Sequence, residues 1–190
     1  YNLLLRCDME KIIYILLIAS LFYGLYFLVM ATGVFGKKKE KINNSKKNHF
    51  AILIAARNEE EVIGNLIKSL KQQNYPKDKY DIYVIINNCT DNTLEVAKDA
   101  GANIIDCTEK VKTKGDVLKY TFNKLKDNKE IDAYVIFDAD NVVHGDFLNK
   151  MNNSINAGYE VVQGFRDSKN VCDNWLSTSY ALLYYLQSLF

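Results

Sequence analysis

A chain of 190 residues that is 48% hydrophobic, with one proline (Pro76) and no low-complexity stretch, has ample length for a buried core and is not a disordered protein. The net charge of +1 hides an asymmetry: residues 1–47 carry eight basic and three acidic side chains, whereas residues 48–190 carry 16 basic and 20 acidic, so the larger part offers no basic face for nucleic acid. Cys7, Cys89, Cys107 and Cys172 are scattered without a Cys-x-x-Cys pair, which suggests neither a zinc site nor a disulfide framework and fits a reducing compartment.

Residues 1–11 read as an N-terminal flank. The chain begins with Tyr1, and Met9 would make a natural start, so residues 1–8 are either an upstream extension or the mark of a fragment. Residues 12–36 then run without a charge. As a helix they reach about 37 Å at ~1.5 Å per residue, enough for a ~30 Å hydrocarbon core with some tilt, and they read as a transmembrane signal anchor. A cleaved signal peptide is the alternative, but its apolar core would be shorter and a small-x-small cleavage site is lacking. Residues 37–47 form a basic juxtamembrane linker in which Lys37, Lys38, Lys39, Lys41, Lys46 and Lys47 face only Glu40. The positive-inside rule puts this flank in the cytoplasm, where it suits contact with anionic lipid heads. A plain solubilising linker would use the same residues, with Asn43-Asn44-Ser45, and leaves the following domain in the cytoplasm too.

From residue 48 to 190 the pattern alternates. Residues 50–55 are an apolar strand, Asn58 is placed to cap the helix after it, and Val62, Ile63, Leu66, Ile67 and Leu70 give that helix a stripe. Residues 81–86 are a second strand, Thr93 to Ala100 a helix ended by Gly101, and residues 103–106 a third strand. Val117, Leu118, Thr121, Phe122 and Leu125 mark a helix with Lys114-Gly115 at its start. Residues 134–137 are the fourth strand, 146–156 a helix, and 160–165 a fifth strand. An α/β sandwich with a mostly parallel sheet follows, preceded by one transmembrane helix. The last segment, from Trp175, is apolar nearly all round between Tyr180 and Leu186. Such a helix is buried over the sheet, lies on a membrane or meets another segment.

Three polar clusters stand at strand ends: Ala56-Arg57-Asn58-Glu59, Asn87 to Asp91, and Asp138-Ala139-Asp140. Loops that follow parallel strands share one edge of the sheet, so the clusters converge on one crevice. Asp138 and Asp140 are close enough to repel unless a cation lies beside them, and hard divalent ions take such oxygens while bridging to phosphates. An acidic turn formed by Asp140-Asn141 is the plainer account. Arg57 could be a surface ion-pair partner, Glu59 a first-turn helix residue, Asp91 a cap for the Thr93 helix, and Lys114 part of a solvated face with Lys110 and Lys112. His49 and His144 lack ligand spacing and read as structural.

On Ala55-Ala56-Arg57-Asn58-Glu59, Asn87 to Thr93, Lys114-Gly115 and Asp138-Ala139-Asp140, the chain resembles the family 2 glycosyltransferases from about residue 48 to 166. These are inverting nucleotide-sugar enzymes of the GT-A fold, a Rossmann-like α/β/α sandwich, and the likeness is to membrane-anchored members that include cellulose- and hyaluronan-synthase relatives. The resemblance implies that Ala55, Arg57 and Glu59 line a uridine pocket, that Asn87 and Asp91 lie near base and ribose, and that Lys114 faces the diphosphate. It implies Asp138 by the sugar or ribose and beside the metal, with Asp140 as the ligand of Mn²⁺ or Mg²⁺. A UDP-sugar donor and an acceptor that is a lipid, a polysaccharide or a protein are the implied partners, at the cytoplasmic face of a membrane.

Two departures stand out. Asn87 occupies a place where many relatives carry an aspartate, so a charge-assisted contact is lost. The base carboxylate and acceptor motifs of relatives lie farther downstream, so the base is expected beyond Phe190: Asp146 reads as a helix cap, and Asp167 and Asp173 lie in loop-like sequence. A nucleotide-sugar-binding protein without its base is therefore a second reading. A haloacid-dehalogenase-type phosphatase, in which Asp138 would be the nucleophile, is a third, and the Lys and paired-Asp motifs that it needs after Asp140 are missing.

Overall fold

The computed structural model of the chain describes residues 2–35, 46–109 and 111–189. It contains two compact units, residues 41–162 and residues 1–40 with 163–190. Most of the lysine-rich linker, residues 37–45, and Lys110 lie outside the described residues.

The larger unit is built on four strands: β1 (Phe50–Ala56), β2 (Tyr80–Ile86), β3 (Asn103–Asp106) and β4 (Ala133–Asp138). Their order is β3-β2-β1-β4 and all three pairings are parallel. The helices between them are α2 (Ile63–Lys71), α3 (Thr93–Asp99), α4 (Lys114–Leu125) and α5 (Phe147–Asn156). Successive strand residues point to opposite faces, and β1 shows the result. Phe50, Ile52 and Ile54 pack with α2, Ala97 of α3 and Leu148 of α5, whereas Ala51 and Leu53 pack with Ile85, Ile105 and Val117 of α4. Both faces of β1 are covered, which is why its sequence is a continuous apolar run. On α2, Ile63, Leu66, Ile67 and Leu70 are fully buried, each contributing roughly 2 kcal/mol of burial.

The strand order places a switch point between β1 and β4: from β1 the chain moves outward one way through β2 and β3, and β4 adds on the other side. Crevices of open α/β sheets lie at such a point, beyond the carboxyl ends of the strands.

The segment entering β1 is held by a buried polar network. Asn152 Oδ1 accepts from Asn48 N (3.0 Å), Asn48 Nδ2 (2.8 Å) and the Tyr75 hydroxyl (3.0 Å), and Asn152 Nδ2 donates to the Lys46 carbonyl (3.0 Å). His49, read as structural, bonds Asp81 through Nε2 at 2.8 Å. Asp132 accepts from Lys46 Nζ (2.8 Å) and His49 N (2.9 Å), and the Lys46 ammonium foremost holds its carboxyl below the usual range.

Three local expectations need correction. Asn58 does not cap α2: its backbone is left-handed (φ 57°), residues 59–62 form a turn closed by Val62 N–H and Ile63 N–H on the Glu59 carbonyl, and the helix starts at Ile63. Asp146 stands at the N-cap position of α5 but makes no capping bond, since its Oδ1 accepts from Asn74 Nδ2 at 2.9 Å. Residues 160–165 form no strand; Val161 is 91% exposed. β-Prone residues form a strand only where a neighbour supplies the ladder of hydrogen bonds, and among the described residues this stretch pairs with none. Gly101 does end α3 as expected, at φ 74°, with its N–H on Lys98 O and Ala102 N–H on Ala97 O.

In the smaller unit, α1 (Asn2–Phe35) holds one stretch long and apolar enough to cross a membrane, Glu10–Val29, with a mean hydropathy of 2.4. The other helix, α6 (Trp175–Leu189), is opened by Asn174 and Ser177, which exchange backbone-to-side-chain bonds of 2.9 and 3.2 Å. Trp175, Tyr180 and Leu182 on it are exposed.

Candidate donor-binding cleft

A cleft of about 440 Å³ opens at the carboxyl edge of the sheet. Ala55, Ala56, Arg57 and Glu59 line it from the end of β1, Asn87 from the end of β2, and Asp138, Ala139 and Asp140 from the end of β4. Val111, Lys112, Thr113, Lys114 and Val117 line it from the start of α4. Three cationic and three anionic side chains therefore meet around a partly apolar floor. Seven of the eight residues singled out in the sequence are among the lining residues; Asp91 is not.

Each wall has its own support. At the end of β4, Asn141 N–H donates to the Asp138 carbonyl (3.1 Å), and Asp138 N–H donates back to Asn141 Oδ1 (3.2 Å). The reciprocal pair closes a tight turn that presents both carboxylates outward. Asp140 Oδ1 also accepts from Asn141 Nδ2 at 3.1 Å. The acidic turn of the plainer account thus exists, and it is what aims Asp138 and Asp140 at the cleft.

Opposite, Thr113 and Asp116 form a capping box at the head of α4. Thr113 Oγ1 accepts from Asp116 N (3.2 Å), and Asp116 Oδ2 accepts from Thr113 N (3.0 Å). The Thr113 hydroxyl, with the backbone amides of Thr113 and Lys112, holds the Asp116 carboxyl below its ordinary range. Thr-x-x-Asp before an apolar stripe is the sequence signature of such a box, a signal distinct from the Lys114-Gly115 pair that marks the start of the helix. The box fixes a helix N-terminus, the positive end of the dipole, beside Lys114. The Lys114 ammonium is ion-paired with Asp138.

The loops after β1 and β2 are tied to each other. Asn58 Oδ1 accepts from Thr90 N (2.9 Å), Glu59 N–H donates to Thr93 Oγ1 (2.8 Å), and Asn92 N–H donates to Glu60 Oε2 (2.8 Å). Asp91 is the hub: Oδ1 accepts from Thr93 Oγ1 (2.5 Å) and Thr93 N (3.1 Å), and Oδ2 from Glu60 N (3.2 Å). The Thr93 hydroxyl above all holds this carboxyl below its usual range. Asp91 therefore positions Glu59 rather than facing the cleft itself. Asn87 is buried, donating weakly through Nδ2 to the Cys107 carbonyl at 3.5 Å.

Among the described residues no three His, Cys, Asp or Glu side chains converge as a metal site. Two carboxylates on one turn nevertheless suit Mg²⁺ or Mn²⁺, which take one or two protein carboxylates and complete their shell with water and substrate phosphate. The donor set fits such an ion arriving with a phosphate ligand.

Comparison with known proteins points the same way. The family described as Glycosyltransferase like family 2 matches residues 47–189. The 4,4'-diaponeurosporenoate glycosyltransferase of Staphylococcus aureus is 38% identical over 71 residues, 37% of this chain and 18% of that protein. Two solved structures share the fold at 18% identity. S. aureus TarS 1-349 in complex with UDP-GlcNAc aligns at a TM-score of 0.51, over 62% of this chain and 38% of TarS. The mannosyltransferase PcManGT of Pyrobaculum calidifontis, in complex with GDP-Man and Mn²⁺, aligns at 0.55, over 73% and 41%. The matched stretch is thus less than a fifth of the curated relative's length.

Proposed function

The chain belongs to the family 2 glycosyltransferases, with the α/β sheet of the GT-A fold, and from that premise we propose that it binds a UDP-sugar in the cleft and transfers the sugar, with inversion, to an acceptor at the cytoplasmic face of a membrane. The observation that carries the reading is the meeting of Arg57, Glu59, Asn87, Lys114, Asp138 and Asp140 around one cleft.

The roles follow from position. Ala55 pairs in register with both Ile85 and Asp138, so it sits at the centre of the strand edge, and its small side chain leaves room for a planar base or ribose. The buried Asn87 amide can offer both a donor and an acceptor to uracil or ribose. Arg57 and Glu59 flank the same end. Lys114 and the head of α4 face the diphosphate, whose charge suits a helix N-terminus. Asp138 and Asp140 would hold Mn²⁺ or Mg²⁺. Such an ion supplies Lewis-acid stabilisation of charge on the departing diphosphate. The chain's own contribution is to fix the donor so that the anomeric carbon is presented to an acceptor hydroxyl, and to place cationic groups where negative charge develops. Asp91 acts through the loop that it ties. The stretch Glu10–Val29 anchors the domain, and the lysines after it favour the cytoplasmic side.

The test is calorimetric titration of the full chain in detergent with UDP and GDP, with and without Mn²⁺, alongside a donor-hydrolysis assay. Binding that prefers UDP, is strengthened by Mn²⁺ and loses that strengthening in Asp140→Ala is expected. Binding unchanged in Asp140→Ala refutes the metal assignment. Binding without hydrolysis or transfer to any acceptor favours the second reading, a tethered nucleotide-sugar-binding protein.

A further inference from the structure

Lys114 and Asp138 stand on opposite walls of the cleft, and each is held from behind, Lys114 by the Thr113–Asp116 box and Asp138 by the Asn141 turn. Their side chains are 43% and 61% exposed, so the pair is set by the geometry of the walls rather than by burial. A divalent ion entering alone meets a carboxylate already neutralised by an ammonium. A diphosphate entering alone meets an ammonium already neutralised by a carboxylate. Entering together, they exchange partners: the carboxylate turns to the metal and the ammonium to phosphate oxygens. Neither Lys114 nor Asp138 is then left without a partner.

We propose that the Lys114–Asp138 ion pair is a resident stand-in for the incoming ligands, which makes the cleft accept metal and nucleoside diphosphate as a unit and resist either one alone. This rests on the donor-binding reading above. It assigns to Lys114 a second role, that of suppressing metal binding in the empty cleft. Coupling of this kind is reciprocal: whatever UDP adds to metal affinity, metal adds to UDP affinity.

The test uses the full chain in detergent, Mn²⁺ binding read from the paramagnetic resonance of the free ion, and UDP binding by calorimetry. Lys114→Met keeps the length of the side chain and removes its charge. Without UDP it is expected to tighten Mn²⁺ binding about threefold, the order of an exposed ion pair. At saturating Mn²⁺ it weakens UDP about tenfold, the order of a charge-assisted hydrogen bond. Asp138→Asn is the mirror: it weakens Mn²⁺ binding and, because it releases Lys114, tightens metal-free UDP binding. Opposite signs within each variant support the exchange. Lys114→Met that leaves or weakens metal affinity in the empty cleft, or Asp138→Asn that weakens metal-free UDP, overturns it while UDP binding by the unaltered chain keeps the donor-binding reading. Failure of the unaltered chain to bind UDP with or without Mn²⁺ overturns both.

Discussion

Asn152→Ala is the sharpest probe of how the domain is tied to the segment that precedes it. Asn152 has no exposed surface, and its Oδ1 serves three donors. Two of those groups keep another bond: Asn48 Nδ2 has Asn156 Oδ1 at 2.9 Å, and the Tyr75 hydroxyl has the Asn48 carbonyl at 2.8 Å. The Lys46 carbonyl keeps Asn156 Nδ2 at 2.8 Å. The backbone N–H of Asn48 is the group left bare, in a residue only 2% exposed. A buried donor without a partner costs about 1–3 kcal/mol, and the void left by the amide adds to it, for roughly 2–4 kcal/mol in all. For a domain of this size that lowers the melting temperature by about 10 °C. The assay is thermal unfolding of the full chain in detergent, followed by circular dichroism. Tyr75→Phe is the control, removing one hydroxyl and leaving Asn48 N–H bonded, at about 1 kcal/mol. A loss in Asn152→Ala no larger than in Tyr75→Phe would refute the assignment of the bare N–H as the dominant cost.

Burial pushes the Tyr75 phenol from 10.0 up to about 12. The folded chain keeps a proton that the unfolded chain releases above pH 10, so this stability is intact below pH 10 and falls by roughly 2 kcal/mol as pH rises towards 12. Urea midpoints at pH 9 and 11.5 measure the fall, and Tyr75→Phe flattens that part of it. Asp91→Ala unties the loops after β1 and β2, so amide hydrogen exchange at Glu60 and Thr93 quickens about tenfold or more, with UDP binding weakened through Glu59. Unchanged exchange at Glu60 would deny Asp91 its positioning role.

Much of the sheet was legible because its strands are short apolar runs bounded by polar residues; β1 is buried on both faces, whereas in β4 Tyr134 and Ile136 are exposed, so the expectation of a strand covered on both sides fails there. The run read at 103–106 is β3 as observed, and the runs at 50–55, 81–86 and 134–137 each lie within a residue of β1, β2 and β4 at either end. The convergence of the lining residues followed from topology alone, since parallel strands put the loops after them on one edge. What was not legible depends on partners distant in the chain. Nothing near Asp91 reveals that its second oxygen serves Glu60, and a short-range cap and a loop hub need the same residue. Asn58 carries a capping side chain, yet its left-handed backbone turns that side chain towards Thr90. Residues 160–165 have the composition of a strand and no neighbour to complete one.

The position of β1 has a consequence for how the chain is made. It precedes both of its partners in the chain and is bonded along both edges, to β2 on one side and to β4 on the other, where Phe50 pairs with Ala133. Until residue 138 has emerged, one edge of the most apolar strand in the domain stays open to any other extended segment, a state prone to misassociation. During that interval the cleft lacks the wall that carries Asp138 and Asp140. The docking of β4 therefore completes the cleft and covers the open edge of β1 in one event, and under the proposed function retention on a UDP matrix would separate finished domains from chains stalled short of it.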